Sequence, residues 1–315
     1  MLTRRQLRVK VMQCIYAITQ SQDDSLEKQE KFLKVSIDNT FNLFLVILSL
    51  LKELYTMAEN HVKHDASKYM ASESDDIPSK EKFLNNKLLV QIVSNTQLTE
   101  VLEKRKIKDW YLNEDYVKIV YKEIVKSRLY GHYMAKEGST YGEDKNLIID
   151  LFREVIAPNE KLYEFFEDDK LTWVDDIPVV NTFIVKMFKN AKEGQEESFF
   201  LPKLVKDEED LEFANTLLTK TLLNNSSLEN EIQGKTPNWD KDRIADIDAI
   251  LLKMAICELL HFASIPERVS INEYLEIAKE YSTPKSSIFI NGILDKLVKE
   301  YKAEGKLKKA GRGLL

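Results

Sequence analysis

Residues 270–298 read SINEYLEIAKEYSTPKSSIFINGILDKLV, two helices separated by a punctuated joint. Ser270 and Glu273 have the S-x-x-E spacing of a capping box, in which the hydroxyl accepts from a first-turn N–H and the carboxylate reaches back to the cap. The first helix is expected to end near Tyr281. Thr283 then offers an N-cap and Pro284 an N1 residue, where its missing N–H costs nothing. On the second helix Ile290, Ile293, Leu294, Leu297 and Tyr301 recur at i, i+3, i+4, i+7 and i+11, one buried stripe. Beside it, Lys285, Phe289, Gly292 and Lys296 fall within about 60° on a helical wheel. Two cations, a ring and a bare backbone spot on one ridge suit a nucleic-acid strand, with phosphates on the lysines and a base on the ring. The same pattern also fits a phenylalanine at the edge of the core between solvated lysines.

Outward from this stretch the chain looks helical throughout. It has 315 residues, 43% of them hydrophobic, with only nine Gly and seven Pro. That scarcity, with long runs of Leu, Lys, Glu and Ile, predicts an all-α protein of one large or two modest domains. The most apolar run, Phe41–Leu51 (FNLFLVILSLL), has eleven residues. It is too short to span a bilayer and is read as part of a buried core helix. Residues 65–79 are polar and form the linker candidate of the first half. Helices are expected over 80–94, 97–107, 113–136, 146–156, 159–168, 177–190, 207–224 and 241–262, the last capped by Asp240; the glycine-bearing stretch 136–146 is expected as a loop. Cys14 and Cys257 sit in apolar-periodic segments without a partner motif, as buried thiols of a reducing cytosol would.

Charge is unevenly spread. Arg4, Arg5, Arg8 and Lys10 stand in the first ten residues without an acid, and from Asp295 onward seven Lys/Arg face three acids, although the whole chain is −6. Such a bipolar chain attracts a polyanion at one pole and repels it elsewhere; two solvated basic ends are the plainer account. A helix from Arg4 to Ser21 would bury Leu7, Val11, Cys14, Ile15 and Ile18. Arg5, Arg8, Val9, Met12 and Tyr16 occupy another face. Arginines at a helix N-terminus oppose the helix dipole, which prefers anions there, so an external anion is one expectation and a loose solvated start the other. Further on, Glu258 continues the stripe of Ile244, Ile247, Leu251 and Met254. A carboxylate in a core position needs a partner, either a basic residue of this chain or a docking protein.

No phosphate-binding glycine loop, G-x-S-x-G or H-E-x-x-H occurs. His61 and His64, at i and i+3, lack a third ligand, so no metal and no cofactor are expected, and no enzyme activity.

Several stretches together resemble the NusB family of transcription antitermination factors: Asn238–Ile244 (NWDKDRI), Met254–Leu259 (MAICEL), Ile265-Pro266, Ile271–Lys279 (INEYLEIAK) and Phe289–Lys296 (FINGILDK). Arg4–Ala17 (RRQLRVKVMQCIYA) is similar to the family's arginine-rich first helix. The resemblance implies an all-helical fold of two small bundles, here with a large helical insertion. It divides the chain into a first helix (1–25), an expansion of unknown role (26–200), a C-terminal helical part (201–300) and a basic tail (301–315). It implies binding of the single-stranded boxA element of ribosomal RNA leaders jointly with ribosomal protein NusE, within an RNA polymerase antitermination complex in the cytoplasm. By position, Arg4, Arg5, Arg8, Tyr16, Ser286, Phe289 and Asn291 would lie on the RNA side, and Glu258 would face NusE. Lys285 stands where the chain departs from the family: Ser282-Thr283-Pro284-Lys285-Ser286-Ser287-Ile288 replaces the usual Gly-Ala-Glu-Asp-Ser-His-Lys. An RNA contact at Lys285 would be this chain's own. A homodimer that masks the RNA surface, a helical scaffold without RNA affinity and a part in an rRNA methyltransferase system are the alternatives. The last lacks room for a cofactor domain after the matching stretch.

Overall fold

The regular structure is helical throughout the residues that a computed structural model of the chain describes, which are 1–21, 25–69, 80–235 and 244–309, with side chains omitted for 65–69. The order is α1 (Arg4–Ser21), α2 (Leu26–Tyr69), α3 (Lys87–Val93), α4 (Thr96–Arg105), α5 (Asp109–Leu112), α6 (Glu114–Lys126), α7 (Arg128–Met134), α8 (Tyr141–Leu151), α9 (Glu160–Asp169), α10 (Asp176–Asn190), α11 (Glu208–Leu223), α12 (Asn225–Gln233), α13 (Asp246–His261), α14 (Glu267–Tyr281) and α15 (Ser286–Ala303). These group into two units. Unit 1 is Met1 with Asp38–Leu204; unit 2 is Leu2–Ile37 with Val205–Leu315.

In unit 1, Leu43–Leu48, Leu50 and Leu51 of α2 are buried on every side of the helix, so α2 is its core axis. The stretch Leu26–His64 is long and apolar enough to cross a membrane by length and composition, with mean hydropathy 1.5, yet 56% of that window is buried inside the fold. Aromatic rings fill the space around it. Trp110 meets Phe165 at 5.1 Å, and Phe166 meets Trp173 at 6.0 Å. Each indole N–H is satisfied by the backbone of α2: Trp110 Nε1 donates to Val46 O at 3.0 Å and Trp173 Nε1 to Asn39 O at 2.8 Å.

Several expected boundaries move for identifiable reasons. The polar linker expected from residue 65 is helical to Tyr69, and its remainder, 70–79, lies outside the described residues. The helix expected over 113–136 is two, because Ser127 turns extended and caps α7 by accepting from Tyr130 N–H at 3.1 Å. The loop expected at 136–146 holds the start of α8. There Thr140 accepts from Glu143 N–H at 3.3 Å while Glu143 accepts from Thr140 N–H at 3.0 Å, a complete capping box. After α8 the helix widens into a π turn over Phe152–Ile156, closed by Ala157 N–H to Phe152 O at 2.8 Å, just before Pro158.

In unit 2, α13 is the axis. It packs against α1, α11, α12, α14 and α15, and Ile250, Leu251, Leu252, Met254, Ala255, Ile256, Cys257 and Leu259 are all buried. It begins at Asp246, and the expected cap Asp240 lies outside the described residues. Cys14 and Cys257 are free and buried, and burial pushes their thiols up to about 12 and about 11. The C-terminal end of α13 is tied down by Lys309, whose ammonium donates to Glu258 O at 3.1 Å and Phe262 O at 2.9 Å. A cation there suits the exposed carbonyls.

Candidate nucleic-acid interface

The arginines of α1 are each held by a carboxylate of another unit 2 helix. Arg4 Nε donates to Asp210 of α11 at 2.7 Å. Arg5 makes a two-pronged pair with Glu273 of α14, Nε to Oε2 at 2.9 Å and Nη2 to Oε1 at 3.0 Å. Arg8 makes the same fork with Glu258 of α13, at 2.8 and 2.7 Å. The rings of Phe213 and Tyr274 receive the Arg8 guanidinium at 4.9 and 5.7 Å, and Arg4 lies 5.2 Å from Phe213. Arg4 and Arg5 keep 38% of their side-chain surface open, whereas Arg8 keeps 2%.

Glu258 is fully buried. Its Oε1 accepts from Arg8 and from Ser270 Oγ at 2.7 Å, and its Oε2 accepts from Arg8 and from Tyr274 OH at 2.9 Å. A carboxylate offers about four acceptor positions, and all are taken. The in-stripe carboxylate therefore has its partner inside the chain. A direct contact of Glu258 with a docking protein, or of Arg8 with RNA, is closed in this fold. The same network overturns the capping box read at Ser270. The helix starts at Glu267, after Pro266, so Ser270 and Glu273 are interior positions whose side chains serve Glu258 and Arg5.

The joint before α15 is organised by Asp248, at the N-terminal end of α13. Its two oxygens accept from Ser282 Oγ at 2.6 Å and Ser286 Oγ at 2.7 Å, and Thr283 Oγ1 sits 2.8 Å from Ser286 Oγ. The helix begins at Ser286 rather than Pro284, because Thr283 and Ser286 are spent on this cluster. Ser286 is buried with Asp248, so a direct RNA contact is closed to it as well. The expected ridge emerges beyond it. Lys285, Gly292 and Lys296 are exposed, Phe289 and Asn291 half-buried, and Asn291 Nδ2 donates to Asp295 at 3.2 Å. Lys285 and Lys296 form no ion pair among the described residues. Tyr16 of α1 is exposed. Sequence reading gave Glu273 a capping role in place of its pairing with Arg5 and missed the roles of Asp210 and Asp248, since single acids spaced far from their partners carry no pattern.

The electrostatics follow the geometry. The hydrogen bond from Arg5, aided by the charges of Arg5 and Arg8, holds the Glu273 carboxyl below its ordinary value of 4.5, against the opposing effect of burial. Burial first, then the Glu258 charge, pushes the Tyr274 hydroxyl well above its usual range, so it stays a donor. Because folded Glu273 binds its proton less tightly than the unfolded chain, its stabilisation is complete above 4.5 and is lost as pH falls through the lower folded value. Acid titration of unfolding is therefore expected to show a loss of stability below pH 4.5 that is smaller in Arg5→Ala. Equal acid sensitivity in both proteins would refute the link.

Fold and site together define an all-helical bundle protein whose arginine-bearing first helix is keyed into the bundle by carboxylates of three other helices. A family model described as NusB family matches residues 179–299. The transcription antitermination protein NusB of Salinibacter ruber is 42% identical over 112 residues, 36% of this chain and 70% of that protein. That of Chloroherpeton thalassium is also 42% identical over 112 residues, covering 36% of this chain and 53% of its own. That of Finegoldia magna is 41% identical over 90 residues, 29% of this chain and 66% of its own. The chain belongs to the NusB family. A solved structure of T. maritima NusB shares 32% identity over 34% of this chain and 78% of its own, with a TM-score of 0.29, too low to carry an argument. The family match leaves out α1 and most of unit 1.

Proposed function

We propose that this chain is a transcription antitermination protein that binds boxA-like single-stranded RNA of ribosomal RNA leaders together with ribosomal protein NusE, and so keeps RNA polymerase processive. The observation that carries this reading is the α15 ridge: Lys285 and Lys296 stand exposed, with no ion pair among the described residues, on either side of Phe289 and Gly292. Cations flanking a ring are what a flexible strand needs. Arg4, Arg5 and Tyr16 of α1 and Asn291 of α15 are the accompanying RNA contacts in this reading. Arg8, Glu258 and Ser286 act from inside, as positioning residues. NusE would use surface other than Glu258.

A titration of the full chain with boxA RNA, with and without NusE at moderate salt, tests the proposal. Tight, salt-sensitive binding strengthened by NusE supports it. Absence of binding sinks it and leaves the scaffold reading.

Gly292 supplies a sharper probe. A Cβ built there meets nothing within 4 Å. Gly292→Ala should therefore stabilise the helix by up to about 1 kcal/mol. If RNA backbone approaches this spot, the same variant binds boxA RNA more weakly. Thermal melts and titrations read the two effects separately, and undiminished binding would remove Gly292 from the interface.

A further inference from the structure

A second cationic corner lies in unit 1, where residues 104–111 read KRKIKDWY. Helix α4 ends there in a Schellman motif, with Ile107 N–H bonded to Leu102 O and Lys106 N–H to Glu103 O, both at 3.0 Å. The residue forced into the left-handed region is Lys106, at φ 57°. Glycine is the usual occupant of that position because any Cβ is strained in it. Among the described residues no other non-glycine has positive φ. A lysine kept where it strains the backbone points to a use for its charge.

The surrounding residues divide by role. Arg105 turns inward, pairing with Asp38 at 2.9 and 3.1 Å, bonding Asn42 at 2.8 Å and lying 4.8 Å from the Phe41 ring. Trp110 is buried and anchored to Val46 O and Ser49 Oγ, both at 3.0 Å. These two anchors fix the corner. Lys104, Lys106 and Lys108 are exposed, and their side chains form no hydrogen bond or ion pair among the described residues. Tyr111, one residue past the Trp110 anchor, is 85% exposed. Of the flanking acids, Glu103 is exposed, while Asp109 is half-buried and faces Lys170.

We propose that this corner is a separate contact for single-stranded nucleic acid, with phosphates on Lys104, Lys106 and Lys108 and a base stacked on Tyr111. Exposed cations joined through the Tyr111 N–H to Lys108 O bond, 3.1 Å, to a segment that carries an open ring meet both requirements of single-strand binding, charge and a stacking face; the ring also borders a pocket lined by Glu53 and Glu114. The proposal stands on unit 1 alone and does not rest on the α15 ridge.

The test uses the full chain and an oligouridine probe, with affinity measured across a salt series. Replacing Lys104, Lys106 and Lys108 together, with Lys106→Gly and alanine at the other two, should lower the slope of log K against log salt by about 2, or roughly 0.7 per lost phosphate contact. Lys106→Gly alone should lower the slope without lowering the melting temperature, because it relieves the left-handed strain. Tyr111→Ala should weaken binding about fivefold or more with the slope unchanged. Thiouridine-substituted RNA should photocrosslink within 104–112. An unchanged slope in the triple variant, or crosslinks only elsewhere, overturns the proposal. So does a polyglutamate peptide that binds through these lysines while oligouridine does not. Repeating the series in an Arg4→Ala/Arg5→Ala/Lys285→Asp background separates this site from the boxA reading: the slope effect should persist there, whereas an unsubstituted chain that fails to bind boxA RNA while the slope effect stands sinks only the boxA reading.

Discussion

Replacing Glu258 with alanine is expected to destabilise unit 2 by about 3–5 kcal/mol, the usual cost of stripping one partner from a buried ion pair. The change leaves the Arg8 guanidinium, 2% exposed, without its counter-charge, and orphans the hydroxyls of Ser270 and Tyr274. Burial disfavours a charged Arg8, and it is the Glu258 bonds and charge that outweigh this and hold its proton more firmly than usual. With Glu258 gone, burial is opposed by the more distant Glu273, 3.7 Å from Nη1, and by the Phe213 and Tyr274 rings. Glu258→Gln should recover little, because its amide nitrogen would point a donor at other donors. The informative companion is Arg8→Met with Glu258→Leu, Ser270→Ala and Tyr274→Phe, which removes every polar member of the network together. Apolar replacement of a whole buried network is often close to neutral. Denaturant unfolding reads all of these. A loss below 1 kcal/mol for Glu258→Ala would show that water reaches the carboxylate, and the network would no longer explain how α1 is held.

Trp110→Ala is expected to cost unit 1 about 3–5 kcal/mol. The indole is buried, packs on Phe165 and Phe166 at 5.1 and 6.2 Å, and satisfies both Val46 O and Ser49 Oγ. Truncation opens a large cavity and removes the donor from α5 to the Val46 carbonyl of α2. Trp110→Phe keeps most of the volume but not the N–H, so it should fall well short of the alanine cost, near the 1–3 kcal/mol of an unmet buried acceptor. Chemical unfolding of both variants checks the ordering, and a phenylalanine variant as damaged as the alanine one would place the weight on the hydrogen bonds instead of packing.

How much of this was legible beforehand depends on the kind of signal. Helix α1 was readable to its ends, because Leu7, Val11, Cys14, Ile15 and Ile18 keep helical period and are buried. The oddity of Glu258 was also readable, since a carboxylate in an apolar stripe breaks the pattern. Its partner was not. Arg8 lies 250 residues away, and arginine is ordinarily a surface residue, so its burial had no local sign. The S/T-x-x-E signature shows the limit of motif reading. At Thr140–Glu143 it is a true capping box inside a stretch that looked like a loop, and at Ser270–Glu273 it is two members of a buried ion network. Spacing alone is the same in both; what differs is where the chain enters the helix. The helical period of α15 is legible, but its start is not, because the Thr283 hydroxyl that would cap it bonds Ser286 Oγ, which itself donates to Asp248.

Unit 2 is built from two pieces of chain, residues 2–37 and 205–315, with all of 38–204 made in between. On the ribosome, α1 therefore emerges long before α13 exists to receive it. At about 5–20 residues per second the wait is on the order of ten to fifty seconds. Throughout that interval Leu7, Val11, Cys14 and Ile18 have no native cover, and Arg8 has no Glu258. The first helix is thus a standing client for chaperones, or for any passing apolar surface, until α13 has been made. Arg4, Arg5 and Arg8 lie among those apolar residues, so until its carboxylate partners are made the waiting segment carries unneutralised positive charge.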